Sequence, residues 1–545
     1  MRFGVLKSLC LVLTCLALLA CGGRESNVVQ GNRSGILHFG NGAEPQGLDP
    51  HVVTGIPESL IINALFEGLT VKNPHTLESE PGVAQRWDIS DDGLTITFHL
   101  NPKAKWSNGD PMNAEDYVWS WRRALNPAMG NQYGYMLYPL KNAEEFATGK
   151  IQDFSDVGVK ALDEHTLQVQ LNTPTPYFIQ LMDHHSTFAL HRPTIEKHGK
   201  ATDRFTPWTR VENIVSNGAF RLKDWQLNRR LSVEKSDTYW DRDRVQLNGI
   251  VFYPTENIAS EERMFRVEQL HYTQTIPLEK IPVYRAMKDS PYANAPYLGT
   301  YYYLLNINEP PLDDVRVRQA LSMALDRERL NNTVLHKSNV PAYTITPPGT
   351  LGYQPPKVFG HNIEAARELL AEAGYPDGKG WPGLELTYNT SESHLKIAVA
   401  LQQMWKDALN IDITLTNQEW KVYLDSVDQM DFQMARRGWI GDYVDPNNFL
   451  DLFLCEGGNN STGFCDPAYD DMIQHQAPQA KSREERYAIF HQAETRLMEQ
   501  MPIIPIYTYT SNHLIHPSVR GLPPNLMDYV NFRYIWLDKN QEVAE

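Results

Sequence analysis

Apolar positions in this chain recur with two different spacings, and the alternation between them predicts the fold class. Leu94, Ile96, Phe98 and Leu100 alternate with Thr95, Thr97 and His99 behind an Asp92-Gly93 turn, which predicts a strand with one buried face. Leu167, Val169 and Leu171 repeat that two-residue spacing over 166–171. A helical spacing takes over after Asn113, a capping residue with Asp116 three positions on, and Val118, Trp121 and Leu125 are expected on the buried face. Residues 364–373 are rich in Ala, Leu and Glu and stop at Gly374 with Pro376 behind it, a well-marked helix end. Segments 384–388, 394–409 and 411–416 then read as strand, helix and strand. Such a crossover unit joins parallel strands and covers them with a helix, so the expected class is α/β with a parallel or mixed sheet. No internal repeat is visible.

One apolar run fits neither spacing. Residues 9–20 carry no charge, follow Arg2 and Lys7, and end in Leu18-Leu19-Ala20-Cys21. That is the layout of a secretory signal, and it is shorter than the ~20 apolar residues of a bilayer span. The small residue Ala20 before Cys21 resembles a lipobox, in which the thiol is acylated and the chain is cut just before it; an ordinary signal peptide with an incidental cysteine is the alternative. The mature chain is therefore expected outside the cytoplasm, in the cell envelope, held to a membrane by lipidated Cys21. Residues 22–35 are polar and without periodicity, and are expected to form a flexible tether reaching roughly 20 Å by random-coil scaling.

At 545 residues and 42% hydrophobic content there is chain enough for two or three domains with real cores. The formal charge of −16 becomes −18 once Arg2 and Lys7 leave with the signal, a surface that repels nucleic acid and anionic headgroups. Neither is an expected partner. Three cysteines remain after the signal: Cys21 is assigned to the lipid, and Cys455 and Cys465 are expected to pair in an oxidising compartment, with two free thiols as the alternative.

Catalytic signatures are missing. There is no Gly-x-Ser-x-Gly elbow and no His-Glu-x-x-His, and the glycines of 374–379 have the wrong spacing for a phosphate loop. His184 and His185 are neighbours whose side chains should diverge on a strand or a helix, so a shared metal ion is not expected. No cofactor and no metal are assigned, and an exported chain of this kind reads as a receptor rather than an enzyme.

A series of local strings sharpens that reading. Glu44-Pro45-Gln46-Gly47-Leu48-Asp49-Pro50, then Leu65-Phe66-Glu67-Gly68-Leu69, then Lys105-Trp106-Ser107-Asn108-Gly109-Asp110-Pro111 with the helix carrying Tyr117 to Trp121, open it. Ser216-Asn217-Gly218-Ala219-Phe220, Asp314-Val315-Arg316-Val317-Arg318-Gln319-Ala320, Asn417-Gln418-Glu419-Trp420 and Gly438-Trp439-Ile440-Gly441-Asp442-Tyr443 follow. In this order and over nearly the whole mature chain, the strings resemble the oligopeptide-binding lipoproteins of peptide ABC importers.

The resemblance implies a bilobed, periplasmic-binding-protein-like α/β fold with mixed sheets, an additional inserted domain and a hinge between the lobes. It implies a discontinuous first domain (36–66, 187–300 and 510–545), an inserted second domain (67–186) and a third domain (301–509), following the signal (1–20) and tether (21–35). The implied ligand is an extended oligopeptide, the implied partner an ABC permease, and the receptor a monomer. Related ligands (a murein peptide, a haem, a metal chelate) and an extracytoplasmic enzyme are the alternatives.

The resemblance also implies site residues. Asp442 pairs with the α-ammonium group of the peptide; its alternative is a turn-capping aspartate ahead of Asp445-Pro446. Trp439 and Trp420 line side-chain pockets, or else are plain core. Gly438 and Ile440 lie on the segment whose backbone pairs with the ligand strand, with Ile56 on the opposing segment and Tyr133 reaching the peptide from the second domain. His394 and Arg436 meet the peptide carboxylate. The chain departs from the family where basic residues give way to Val427 and Leu335, and where Thr54 replaces an acidic residue beside Ile56, which puts the length preference in doubt.

Overall fold

The computed structural model describes residues 25–455 and 457–539, with only the backbone of Trp420 and Lys421. The signal, Cys21 and its lipidation lie outside the described residues. Among the described residues no helix is long and apolar enough to cross a membrane.

The segment expected to be a tether is a helix over most of its described length. Asn27–Ser34 is helical, capped by the Ser26 side chain on Val29 N–H and closed by Gly35 at φ 72°. Val28 is fully buried. Asn32 shares a hydrogen bond with His271, and Asn248 donates to the Ser34 carbonyl, so the helix is part of the body. The sequence signal was hidden because only Val28 and Val29 are apolar in this stretch, too few for periodicity.

Two bodies follow. The first carries a four-stranded sheet in which Ile36–Gly40 runs parallel to Gly249–Tyr253, with Arg230–Lys235 and Phe220–Gln226 added antiparallel. Beside it, Ala84–Ile89, Thr95–Leu100, Thr166–Gln170 and Val159–Asp163 form an antiparallel sheet. Ile96, Phe98 and Leu100 are buried, as their alternation predicts. The helix Ala114–Ala124 has the expected capping box, but its buried face is Tyr117, Ser120, Trp121 and Ala124; Val118 is only partly covered. One continuous apolar core joins both sheets and takes in the C-terminal residues Val519 to Leu537.

The second body is built on a six-stranded mixed sheet in the order Val340–Pro341, Ile503–Leu514, Tyr292–Leu305, Met434–Ile440, Leu384–Asn389, Ile413–Gln418. The last two strands are parallel and joined by the helix Glu392–Leu409, the predicted crossover. Separate cores cover its two faces. Leu335 and Val427 are buried in these two cores. The paired strands 292–305 and 503–514 extend beyond this sheet toward the first body, with register shifts between Pro296 and Thr300 and between Tyr301 and Tyr302. Cys455 and Cys465 are joined in a disulfide.

Candidate functional site

The 434–440 strand supplies an unpaired edge inside this sheet. The bonds from Gly441 N–H to Leu298 C=O (2.7 Å) and from Asn306 N–H to Gln433 C=O (2.9 Å) bracket its antiparallel pairing with 292–305 and set the phase. Pairs that exchange bonds alternate with pairs that do not, so Arg436, Gly438 and Ile440 turn their N–H and C=O groups to the other side. There the 384–389 strand pairs only with Met434 and Ala435 before it diverges. Among the described residues nothing bonds the backbone of Gly438 or Ile440 on that side. Gly438 is needed for packing as well, since a Cβ would collide with the Tyr509 hydroxyl.

Just past this edge stands Asp442, with a side chain 13% exposed. Tyr135, from the first body, donates its hydroxyl to the Asp442 carboxylate at 3.2 Å, and the Asp442 N–H donates to Asn448 Oδ1 at 3.3 Å. His184 Nε2 lies 3.9 Å away, but burial and the charges of His185 and Lys72 push the His184 imidazole well below its usual range, so it is neutral. Among the described residues no Lys or Arg forms an ion pair with Asp442. Burial pushes its carboxyl up to about 7, against the Tyr135 hydrogen bond and the Lys72 charge. Burial and the Asp442 charge push the nearby Asp451 to about 8. The turn-capping role falls to Asp445, which accepts from Asn447 N–H and holds Arg486 at 2.7 and 2.8 Å. Asp442 is left as a buried acceptor aimed between the two bodies.

His184 and His185 did not diverge as expected. Their ring centroids are 4.3 Å apart, because His184 is extended (ψ 135°) as the cap of a short helical turn and folds back over it. Tyr133 packs on His184 at 4.6 Å, which brings it into the neighbourhood of Asp442. His185 Nε2 contacts the Val53 carbonyl at 3.1 Å, tying in the segment that carries Thr54 and Ile56. Both of those residues are exposed, and Ile56 opens the helix Ile56–Leu65. Sequence reasoning missed Tyr135, His184 and Asn448; the aromatic run from Tyr133 to Tyr138 was the only signal available.

A second group forms on the face of the 434–440 strand that carries Arg436. Its Nη2 donates to the Tyr509 hydroxyl at 2.8 Å, and its guanidinium lies 4.6 Å from the Tyr301 ring centroid. His394 Nδ1 shares a hydrogen bond with the Tyr301 hydroxyl at 3.3 Å, so the two residues assigned to the ligand carboxylate converge through Tyr301. Burial and the Arg436 charge push His394 well below its usual range. Arg436 forms no ion pair among the described residues, and its Nε is buried without a partner. Trp439, on the opposite face, donates its indole N–H to Asn448 at 2.8 Å and packs against the core beneath. Trp420 begins the helix Trp420–Asp428. Among the described residues no group of three or more His, Cys, Asp or Glu is placed to hold a metal ion.

The site thus consists of an open strand edge with the largely buried Asp442 carboxylate at one end and, along it, Arg436, which forms no ion pair among the described residues. Residues 78–461 match the family described as bacterial extracellular solute-binding proteins, family 5 (middle). The periplasmic oligopeptide-binding protein OppA of Escherichia coli strain K12 is 39% identical over 491 residues, 88% of each chain. The structure of the Escherichia coli murein tripeptide binding protein MppA superposes with a TM-score of 0.85 at 36% identity, covering 92% of this chain and 98% of that one. Against the unliganded open form of MppA the TM-score is 0.70 at the same 36% identity, over 92% and 97% of the chains.

Proposed function

This chain belongs to the bacterial extracellular solute-binding proteins of family 5, and on that premise we propose that it is an extracytoplasmic receptor that encloses oligopeptides between two lobes and delivers them to an ABC permease. The observation that carries the reading is the open edge at Gly438 and Ile440 ending at a carboxylate, Asp442, with which no Lys or Arg among the described residues forms an ion pair. Strand addition recognises what all peptides share, the backbone, while Asp442 takes the α-ammonium group and Arg436 with His394 takes the carboxylate. Trp439, Trp420 and Tyr133 bound the ligand side chains, with Thr54 and Ile56 on the opposing rim. The role is binding, not catalysis.

The domain plan is assigned as 36–66, 187–300 and 510–545 for the first domain, extended back to the helix 27–34, with 67–186 inserted and 301–509 as the third. The lobes hinge along the strands 292–305 and 503–514, and the lower TM-score against an open form supports a closed arrangement here. Cys21 carries the lipid that keeps the monomer at the membrane. With residues 25–35 part of the body, only three residues of sequence separate it from Cys21, which holds the receptor close to its anchor. A wall-derived peptide is the second reading, favoured by the burial of Val427 and Leu335, which leaves fewer fixed cations for carboxylates at set distances. Mass spectrometry of ligands released from the purified receptor tests both. Peptides of several lengths support the first reading, a single wall peptide supports the second, and a non-peptide ligand overturns both.

A further inference from the structure

Arg437 is the one arginine at the open edge to which the reading above gives no task. Side chains along a strand alternate, so Arg436 faces Tyr301 and the 392–409 helix while Arg437 faces the other way, with Trp439 and Ala435. Its partner in register is Tyr302, which is buried in one core with Tyr423, Val427 and Ala435. Arg123, Arg486 and Arg533 are each neutralised by a carboxylate, of Asp49, Asp445 and Glu67, and the buried Arg318 and Arg327 spend their guanidinium N–H groups on backbone carbonyls and the Ser322 hydroxyl. Arg437 forms no ion pair among the described residues and keeps part of its surface open. Burial pushes the phenols of Tyr302, Tyr423 and Tyr133 up, and the Arg437 charge acts against that on all three. Strand alternation therefore puts Arg437 on the face of the open edge that it shares with Trp439, over the core that holds Tyr302 and Tyr423.

A peptide strand added at Gly438 and Ile440 turns its side chains alternately to the two faces of the sheet, and residues at the same level on neighbouring strands share a face. One face meets Arg436 and the tyrosines around it. The other meets Arg437 and Trp439. We propose that Arg437 is a specificity-determining residue which makes the pocket it shares with Trp439 select a ligand side chain bearing a carboxylate, so that the preferred ligands are acidic peptides. An arginine in a partly desolvated pocket lined by aromatic rings needs a planar anion, and a carboxylate pairs with it bidentately. The net charge of the chain is negative, so this preference is local to the pocket.

The proposal rests on the peptide-receptor reading, and its test separates the two. Titration calorimetry on the full-length receptor, stripped of ligand, uses tri- and tetrapeptides with Glu or Gln exchanged at one position at a time. At one position the Glu peptide is expected to bind roughly 10-fold more tightly than its Gln counterpart. Arg437→Gln and Arg437→Met should bring that ratio to near 1 while binding of the Gln peptide stays within about 3-fold, since strand pairing and Asp442 are untouched. Arg437→Lys should keep part of the preference, which a merely structural role would not do. A peptide with D-glutamate in wall-type linkage, compared with its L-isomer, distinguishes a wall peptide from an ordinary acidic one. Equal affinity for Glu and Gln at every position, or a preference that survives Arg437→Gln, overturns the proposal and leaves the peptide reading standing. Failure of every peptide to bind overturns both.

Discussion

Replacing Asp442 by Asn separates the two consequences of leaving a carboxylate buried without a cation. The side chain keeps its shape and can still accept from Tyr135, but the charge is gone. In the ligand-free receptor that is a gain. Moving a carboxyl from 3.8 to about 7 corresponds to roughly 4 kcal/mol of native-state destabilisation above pH 7, and the substitution removes it. In the liganded receptor it is a loss, because an α-ammonium enclosed beside a neutral amide lacks compensation. By analogy with truncated buried charge pairs the cost is about 2–4 kcal/mol, or ~30- to 1,000-fold in affinity. The assay is a thermal melt at pH 8 with and without peptide, together with calorimetry using free and N-acetylated peptides. Asp442→Asn should raise the ligand-free Tm, shrink the peptide-induced rise, and bind free and acetylated peptides almost alike. A variant that binds free peptides as tightly as the wild type would refute the ammonium-anchor reasoning.

Four further outcomes follow from named groups. Because the Asp442 carboxyl is raised to about 7 in the ligand-free protein and must be ionised to pair, peptide affinity should fall up to tenfold per pH unit below about pH 7. The peptide amine loses its proton above ~8, so affinity peaks between these limits, and a flat profile from pH 5 to 7 contradicts the assignment. Ligand-free stability should move the opposite way: as far as Asp442 alone contributes it is fully present below about pH 3.8 and is lost as pH rises from there to about 7. Cys455→Ser with Cys465→Ser should lower stability by roughly 3 kcal/mol through loss of the closed loop, read by denaturant melts; no change would show that the loop is held by other contacts. Cys21→Ala should release the receptor from membranes with peptide affinity unchanged, whereas a wild-type protein found without an acyl mass on Cys21 removes the anchor altogether.

Local chemistry was legible in the sequence wherever one short segment held the whole cause. The strand at 95–100, the capping box at Asn113 and the crossover 384–418 follow from two-residue and helical spacings that act within a few residues of one another. The short string from Gly438 to Tyr443 likewise singled out Asp442 as a candidate. What the sequence missed came from contacts between distant segments. The helix 27–34 shows little apolar periodicity because much of its fixation comes from Glu268, His271 and Asn248, some 200 residues on. His184 and His185 meet because a cap turns one ring over the other, which pairwise periodicity does not describe. Tyr135 reaches Asp442 across 307 positions, and only the packing of two bodies decides that this carboxylate is desolvated and without a cation. The sequence determined the elements and the residue types, since propensity, capping and alternation are local energies. The tertiary structure decided burial, and with it the protonation of Asp442 and the freedom of Arg437, because desolvation depends on everything that surrounds a group in space.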